Sequence, residues 1–248
     1  MKGLLQDKVA VVTGGGRGIG EAISVTFAEN GAAVVVADVD LTSSSSVAER
    51  IRSLGGEAEA MHLDVSDIGE VGVRCDGIVR RFGRIDIWVN NAGITQNLPI
   101  EELGEQDWDR LMNVDLKGVF FCSQAAYRVM MAQKRGKIIN IGSLAGERGG
   151  RFAGAHYSAA KAGVLVLTKC FALSGGPYNI NVNAIAPGLI QTRMAEDLGF
   201  LAGDHADIPL RRLGTATDVA NAALYLASSL SDYVTGMTVD VNGGALMR

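Results

Sequence analysis

Short apolar runs rich in β-branched residues alternate along the chain with longer amphipathic stretches. Such alternation predicts β-α-β units that build a parallel sheet. The runs at 34–37 and 138–139 are continuously apolar, as expected of parallel strands buried on both faces. We predict strands at 8–13, 33–38, 57–63, 85–90, 136–141, 181–186 and 238–241, with helices between them.

The pattern predicts one α/β domain over residues 1–248, because no linker, repeat or change of composition interrupts it. Right-handed crossovers favour a doubly wound, seven-stranded parallel sheet in the order 3-2-1-4-5-6 plus one further strand, with helices on both faces. The serines at 43–46 are expected to open a helix after Asp40. Gly175, Gly176 and Pro177 are expected to stop a later helix at about Leu173. Ligands of such sheets bind beyond the carboxyl ends of the strands.

Composition narrows the class of protein. The chain has 248 residues, of which 48% are hydrophobic and 20% charged, and a net charge of -4. An acidic balance argues against nucleic-acid binding, which needs a basic face. Because we find neither a signal peptide nor an apolar run of about 18 residues, we expect a cytoplasmic protein without a membrane span.

The cysteines and histidines show no metal-ligand spacing, so no metal is expected. We interpret Cys75, Cys122 and Cys170 as small buried hydrophobes. The histidines His62, His156 and His205 are expected to be structural or to lie at the surface.

A glycine-rich loop reads T-G-G-G-R-G-I-G over residues 13–20, directly after the first predicted strand and before a predicted helix at 21–30. Gly14, Gly18 and Gly20 allow a tight turn in which backbone N–H groups approach a pyrophosphate at the helix N-terminus. Arg17 and Ile19 belong to the same predicted contact surface. The loop therefore predicts a dinucleotide site.

Asp38 ends the second predicted strand, where a carboxylate can accept hydrogen bonds from the adenosine ribose. The same charge repels a 2′-phosphate, and Asp40 adds to the repulsion. We therefore predict NAD as the cofactor, although the Arg17 guanidinium could pair with a 2′-phosphate.

Tyr157 and Lys161 are four residues apart in an apolar helical stretch, so the phenol and the ammonium lie on one helix face. An ordinary tyrosine has a pKa near 10 and is a poor base at neutral pH, but a nearby cation favours its phenolate. Ser143 follows the fifth predicted strand and so belongs to the same edge of the sheet. These residues could transfer a proton to or from a substrate.

Six motifs in sequence resemble the short-chain dehydrogenase/reductase family, and the resemblance covers nearly the whole chain. They are the glycine loop at 13–20, Asn90-Asn91-Ala92-Gly93, Asn113, Ser143, Tyr157-x-x-x-Lys161 and Pro187-Gly188.

The resemblance implies a catalytic site of four residues. Tyr157 would exchange a proton with the substrate oxygen, and Ser143 would orient that oxygen. Lys161 would assist Tyr157 and hold the nicotinamide ribose, while Asn113 would position a water that links Lys161 to solvent. The implied activity is NAD(H)-dependent interconversion of a secondary alcohol and a ketone.

The resemblance also implies further cofactor contacts, a lid and an assembly. Tyr157 and Lys161 themselves count among the contacts, and the others are Asp64, Val65, Asn91, Gly93, Pro187, Gly188, Ile190 and Thr192. A substrate lid would cover about 189–212, with Met194, Leu198, Phe200 and Leu201 as its apolar residues and Gly199, Gly203 and Asp204 as its adaptable ones. The expected assembly is a homotetramer or homodimer.

Two other functions stay open. An NADPH-dependent 3-oxoacyl-[acyl-carrier-protein] reductase would share the fold and the four residues, with Arg80, Arg81 and Arg84 as a candidate docking patch for an acidic carrier. A catalytically silent dinucleotide-binding sensor could use the same fold, because fold does not fix function.

Overall fold

The computed structural model describes residues 3–150, 153–197 and 206–247. Seven parallel strands form one sheet in the order β3-β2-β1-β4-β5-β6-β9, as the sequence predicts, and β7 and β8 pair separately. The strands are β1 (Val9–Thr13), β2 (Ala33–Asp38), β3 (Glu57–His62), β4 (Ile87–Asn90), β5 (Gly136–Ile141), β6 (Ile180–Pro187), β7 (Ile190–Gln191), β8 (Gly214–Thr215) and β9 (Thr238–Val241).

Helices flank the sheet on both faces. Each face of the sheet is covered by its own apolar cluster, one centred on Ile23, Phe27 and Val36 and the other on Trp88, Ile138 and Val182. The helices are α1 (Gly18–Glu29), α2 (Leu41–Ser53), α3 (Ile68–Phe82), α4 (Glu105–Met112), α5 (Val119–Gln133), α6 (Ala145–Arg148), α7 (Ala155–Gly175), α8 (Arg193–Asp197) and α9 (Ala216–Ala227).

Strand β4 begins two residues later than the sequence predicts, because side chains form hydrogen bonds with backbone groups at this point. The Gln133 side chain accepts a hydrogen bond from Ile85 N (3.0 Å) and donates one to Ile85 O (2.7 Å). The Asp86 carboxylate accepts a hydrogen bond from Val9 N at 3.0 Å. The Ile85 backbone therefore bonds to a side-chain amide, whereas Asp86 N donates to Val9 O and Asp86 O accepts from Lys137 N on the neighbouring strands.

Helix α2 begins at Leu41, earlier than the serine run that was expected to open it. The Asp40 carboxylate caps it by accepting from Thr42 N and Ser43 N, so an acid rather than a hydroxyl supplies the cap.

Helix α7 continues two residues past the predicted stop at Leu173. It ends at Gly175, and a 3-10 turn (Gly176–Tyr178) follows it. Pro177 lies in the first turn of that 3-10 segment, where its missing N–H costs no hydrogen bond. The glycine-glycine-proline run thus ends the helix as predicted, two residues later than the predicted position.

By length and composition, the helical stretch Ala155–Tyr178 could cross a membrane, a test that the core helix of a soluble protein also passes. In this fold α7 packs against β6, α6 and α5, and its Lys161 is buried. One face of α7 therefore packs in the fold, and 33% of the apolar stretch is buried.

Candidate active site

The glycine loop between β1 and α1 has the backbone shape that the sequence predicts. Gly14 and Gly18 have positive φ angles of 60° and 56°. A Cβ at Gly20 would lie 2.0 Å from Gly14 O, so only glycine allows the two segments to approach so closely. Helix α1 begins without a side-chain cap at Arg17, which is exposed. Its first N–H groups are thus available to an anion.

Asn91 supports this loop. Its side-chain amide donates to Thr13 O (3.0 Å) and Gly14 O (2.9 Å). The Thr13 hydroxyl in turn accepts from Asn91 N and Ala92 N and donates to Val89 O. The carboxyl ends of β1 and β4 are thereby tied together around the loop.

Asp38 is buried at the carboxyl end of β2 and faces the glycine loop. Its Oδ2 accepts from Gly16 N at 2.9 Å, and its Oδ1 accepts from Asp40 N at 3.0 Å. Hydrogen bonds from Ser43, with a smaller effect of the Arg17 charge, lower the pKa of Asp40 below its usual value. Two carboxylates therefore stand beside the loop.

Tyr157 and Lys161 lie together on α7, as their spacing predicts. Lys161 Nζ is 5.5 Å from the centroid of the Tyr157 ring and donates to Ile141 O at 3.2 Å. Ser143 is half-buried just after β5, and its Oγ accepts from Ala145 N at 3.1 Å. The carboxyl end of β5 thus carries Ser143 and holds the Lys161 ammonium.

The structure brings Asp115 into contact with Lys161, and the role of Asn113 stays a prediction. Residues Asn113–Gly118 form a π-helical turn between α4 and α5. Asn113 is exposed there and, among the described residues, its side chain has no hydrogen-bond partner. Asp115 is fully buried instead, with its Oδ2 3.1 Å from Lys161 Nζ.

Helical spacing could have identified Asp115. Leu111 and Val119 are buried, and Asp115 lies four residues from each of them, whereas Asn113 is two residues out of phase. The sequence prediction matched the residue type and overlooked which helix face it occupies.

Burial and charge act in opposite directions on the Asp115–Lys161 pair. Burial raises the pKa of Asp115 above its usual value, although the Lys161 charge opposes the shift. Burial disfavours the Lys161 cation, but the charges of Asp115 and Tyr157 and the hydrogen bond to Asp115 together outweigh it and raise the pKa of Lys161. The lysine is therefore held as a cation.

Gly93 lies against this pair. A Cβ at Gly93 would come 2.9 Å from Asp115 Oδ2 and 3.3 Å from Lys161 Nζ, so a side chain would displace one of them. The next residue, Ile94, donates its N–H to Asp115 Oδ1 at 2.8 Å. The segment after β4 is thus fitted closely around the ion pair.

Asp64 and Val65 follow β3, beside the carboxyl end of β2. Asp64 Oδ1 accepts from Ser66 N and Ser66 Oγ, and Asp64 N donates to the Glu70 carboxylate at 3.1 Å. Val65 is buried in the core. These contacts shape a turn that keeps Asp64 at the predicted edge of the sheet.

The residues after β6 approach the glycine loop from the other side. The methyl group of Thr192 would be 3.6 Å from a Cβ at Gly18. Gly188 N donates to Val241 O at 3.0 Å, and Pro187 O accepts from Leu144 N at 2.9 Å. Ile190 is buried in the core, so its side chain supports this segment from within.

Only part of the predicted lid can be located. Helix α8 forms at Arg193–Asp197, whereas Leu198, Gly199, Phe200, Leu201, Gly203 and Asp204 lie outside the described residues, as does His205. The lid over 189–212 stays a prediction.

The predictions for His156 and for two of the three cysteines are confirmed, and the prediction for the third cysteine is wrong. His156 is buried, as a structural residue should be, with Nε2 3.4 Å from Gln96 Oε1, and burial lowers its pKa. Cys75 and Cys122 are buried as expected, but Cys170 is exposed on α7, so its interpretation was wrong. Within the described residues no cluster of three potential metal ligands occurs.

The arginines proposed to dock a carrier lie at the opposite edge of the sheet. Arg80 and Arg81 are in the last turn of α3, which leads into the amino end of β4. Arg81 Nε is 3.6 Å from Glu59 Oε2, and Arg84 pairs with Asp86. The cluster does not border the site around Tyr157.

A family model described as Enoyl-(Acyl carrier protein) reductase matches residues 14–245. The 3-oxoacyl-[acyl-carrier-protein] reductase FabG of Thermotoga maritima is 39% identical over 98% of this chain and 99% of its own length. The protein of that name from Staphylococcus aureus is 40% identical over 97% and 98%. An uncharacterized short-chain type dehydrogenase/reductase of Sinorhizobium fredii, y4mP, is 42% identical over 99% and 100%.

Solved structures agree. A short-chain type dehydrogenase/reductase from Mycobacterium marinum superposes with a TM-score of 0.95 at 34% identity, covering 98% of this chain and 97% of that one. The crystal structure of gox2181 gives 0.93 at 32% identity, covering 97% and 96%. Sheet, site and relatives define a Rossmann-fold oxidoreductase. The chain belongs to the short-chain dehydrogenase/reductase family.

Proposed function

We propose that this oxidoreductase interconverts a ketone and a secondary alcohol, with Tyr157 as the group that exchanges a proton with the substrate oxygen. The observation that carries the proposal is the placement of the Lys161 ammonium 5.5 Å from the Tyr157 ring at the carboxyl end of β5. A cation beside a phenol makes it a usable acid and base near neutral pH.

In this proposal, three residues of the chain have separate roles. Ser143 orients the substrate oxygen by a hydrogen bond. In reduction, Tyr157 gives its proton to that oxygen; in oxidation, it takes the proton back. Lys161 stabilises the anionic form of Tyr157. A bound nicotinamide supplies or accepts the hydride.

The residues present fit a dinucleotide. The uncapped N-terminus of α1 and the Gly14–Gly20 backbone would hold the pyrophosphate. Asp38 would hold the adenosine ribose, with Asp64 and Val65 beside the adenine. The segment at 187–192, with Gly93, Tyr157 and Lys161, would hold the nicotinamide side.

For the substrate we propose a 3-oxoacyl thioester first. Support comes from relatives named 3-oxoacyl-[acyl-carrier-protein] reductase that match at 39% and 40% identity over almost their whole length. This ranking reverses the order that the sequence favoured. The arginines at 80, 81 and 84 lie at the opposite edge of the sheet from Tyr157, so they do not support docking of a carrier beside the candidate site. The proposal therefore depends on the relatives.

Asp38 supports a second candidate, an NAD(H)-dependent dehydrogenase of a small secondary alcohol. Its buried carboxylate, with Asp40 two residues on, would repel the 2′-phosphate of NADP. We propose NAD(H) as the preferred cofactor for either substrate class.

A matrix of substrates and cofactors tests these proposals. We would measure the change in absorbance of the reduced nicotinamide with 3-oxoacyl thioesters and with secondary alcohols, each with NAD(H) and NADP(H). We expect turnover of the thioester with NADH. Turnover of alcohols alone would favour the second candidate, and cofactor binding without turnover of any substrate would favour a silent sensor.

We also propose a cytoplasmic homotetramer. The support within the fold is an exposed stripe on the outer face of α7, in which Val166 (58% exposed) and Leu173 (82% exposed) lie two helical turns apart with Lys169 between them. A second copy of the chain could cover this stripe.

A further inference from the structure

The carboxylate of Asp115 lies inside the site and belongs to none of the roles described so far. Its Oδ2 is 3.1 Å from Lys161 Nζ, while its Oδ1 accepts the N–H of Ile94 at 2.8 Å. The side chain of Asp115 is 0% exposed and that of Lys161 is 5% exposed. An ion pair this deeply buried changes the electrostatics of every neighbour.

We propose that Asp115 is a positioning residue: it is the ionised counter-ion of Lys161, and it sets the pH at which the Tyr157–Lys161 pair loses its first proton. The proposal rests on the proposed function, because that proton loss generates the base for alcohol oxidation. Asp115 acts through Lys161 and need not touch the substrate.

Geometry supports a counter-ion over a space-filling role. A buried ammonium without a partner is strongly disfavoured, and among the described residues the other acceptor of Lys161 Nζ is the neutral carbonyl of Ile141. The chain also leaves room for the pair at position 93. Glycine is the residue type that fits there, because a Cβ would come too close to both Asp115 and Lys161. The π turn Asn113–Gly118 brings the carboxylate to the lysine.

Other titratable groups surround the pair on the packed elements. Helix α7 adds Tyr157 and His156, and Asp107 of α4 acts on His156. Lys117 is exposed, and Arg148 donates to Ala245 O. The titratable groups on the elements that pack against α7 are Glu105, Asp107, Asp109 and Arg110 on α4, Lys117 in the π turn, Cys122, Tyr127 and Arg128 on α5, Lys137 on β5, Glu147 and Arg148 on α6, and Tyr178 in the 3-10 turn.

The sign of the effect does not depend on which group releases the proton. Tyrosine and lysine interact strongly, so the proton loss belongs to the pair. With Asp115 ionised, the pair holds its proton in the field of a negative charge. Replacing that charge by a neutral amide of the same shape favours proton loss, so the transition moves to lower pH.

The test compares Asp115→Asn with the wild type and with Asp109→Asn, a matched change at an exposed position of α4. We would measure kcat/KM for alcohol oxidation from pH 5 to 10. We expect the midpoint of the rising limb to fall by about one pH unit or more in Asp115→Asn, and to stay put in Asp109→Asn. Asp115→Glu, which keeps the charge, should restore the wild-type midpoint.

A second readout needs no turnover. In protein with 13C-labelled aspartate side chains, the resonance missing from Asp115→Asn belongs to Asp115. We expect it at pH 7 at the chemical shift of an ionised carboxylate. Should the asparagine variant fail to fold, as judged by circular dichroism, Asp115→Ser replaces it in both measurements.

An unmoved or raised midpoint, or a protonated Asp115 at pH 7, would overturn the counter-ion proposal. Failure of the proposed function looks different: the wild type would turn over no carbonyl or alcohol, while the aspartate resonance would still report on the ion pair.

Discussion

At the scale of single residues, we propose Asp38 as the determinant of cofactor choice. Its carboxylate accepts hydrogen bonds from Gly16 N and Asp40 N beside the glycine loop, where we propose that the adenosine ribose binds. Loss of this charge removes a repulsion that acts on NADP alone. Cofactor preference should therefore respond to this one side chain.

We predict that Asp38→Ser raises the ratio of kcat/KM for NADP(H) to that for NAD(H) by about tenfold or more, which corresponds to roughly 1.4 kcal/mol. Steady-state kinetics with both cofactors checks this. Glu49→Gln, which removes one exposed charge on α2, is the control for net charge. A ratio that does not move in Asp38→Ser would show that another group discriminates.

Sequence reasoning named most residues of the candidate site but missed Asp115, for a physical reason. Tyr157, Lys161, Ser143 and the glycine loop follow from spacing and from position after a strand. The role given to Asn113 rested on residue type, and the π turn presents Asp115 to the lysine instead. A match of type cannot reveal which side of a helix is buried.

At the scale of elements, the strands were predictable because parallel strands buried on both faces are continuously apolar. The bounds of β2, β5 and β9 agree with prediction at both ends. The start of β4 differs because Gln133, almost fifty residues later in the chain, satisfies the Ile85 backbone. Local patterns contain no information about such long-range hydrogen bonds.

Glu70 links two elements at the cofactor edge. It accepts from His62 at the end of β3, from Arg74 on α3 and from Asp64 N. Burial opposes its charge, but the hydrogen bonds from His62, Asp64 N and Arg74 outweigh that and lower the pKa of Glu70 to about 2. A carboxyl with a lowered pKa stabilises the fold above its ordinary pKa, and this stability is lost as the pH falls toward the lowered value.

We predict that Glu70→Gln lowers the free energy of unfolding by about 1 to 2 kcal/mol at pH 7, allowing for solvent screening. The difference from the wild type should shrink as the pH falls below about 4.5. Denaturant unfolding from pH 3 to 8 measures it, with Asp76→Asn, exposed on the same helix, as the control. A difference that is constant across this range would contradict the electrostatic explanation.

At the scale of the whole molecule, we propose that a second copy of the chain covers the exposed stripe on α7. Helix α7 carries Tyr157 and Lys161 near its start and the exposed Val166 and Leu173 farther along. Contacts between copies of the chain on this face would therefore involve the helix that carries Tyr157 and Lys161.

We predict that Leu173→Glu lowers the mass measured by light scattering after size-exclusion chromatography, because a charge cannot be buried in an apolar contact without a partner. The control is Leu54→Glu at the end of α2. The Leu54 side chain is 64% exposed, and this change should leave the mass unchanged. An unaltered mass in Leu173→Glu would place any interface elsewhere.

The central claim is that Tyr157 exchanges the proton with the substrate oxygen, and the turnover of Tyr157→Phe tests it most directly. The variant keeps the ring and loses the hydroxyl. We predict that it still binds NADH, as followed by fluorescence, while kcat falls by about a thousandfold or more, and that Tyr233→Phe at an exposed position is unaffected. A kcat for Tyr157→Phe within tenfold of the wild type would contradict the account.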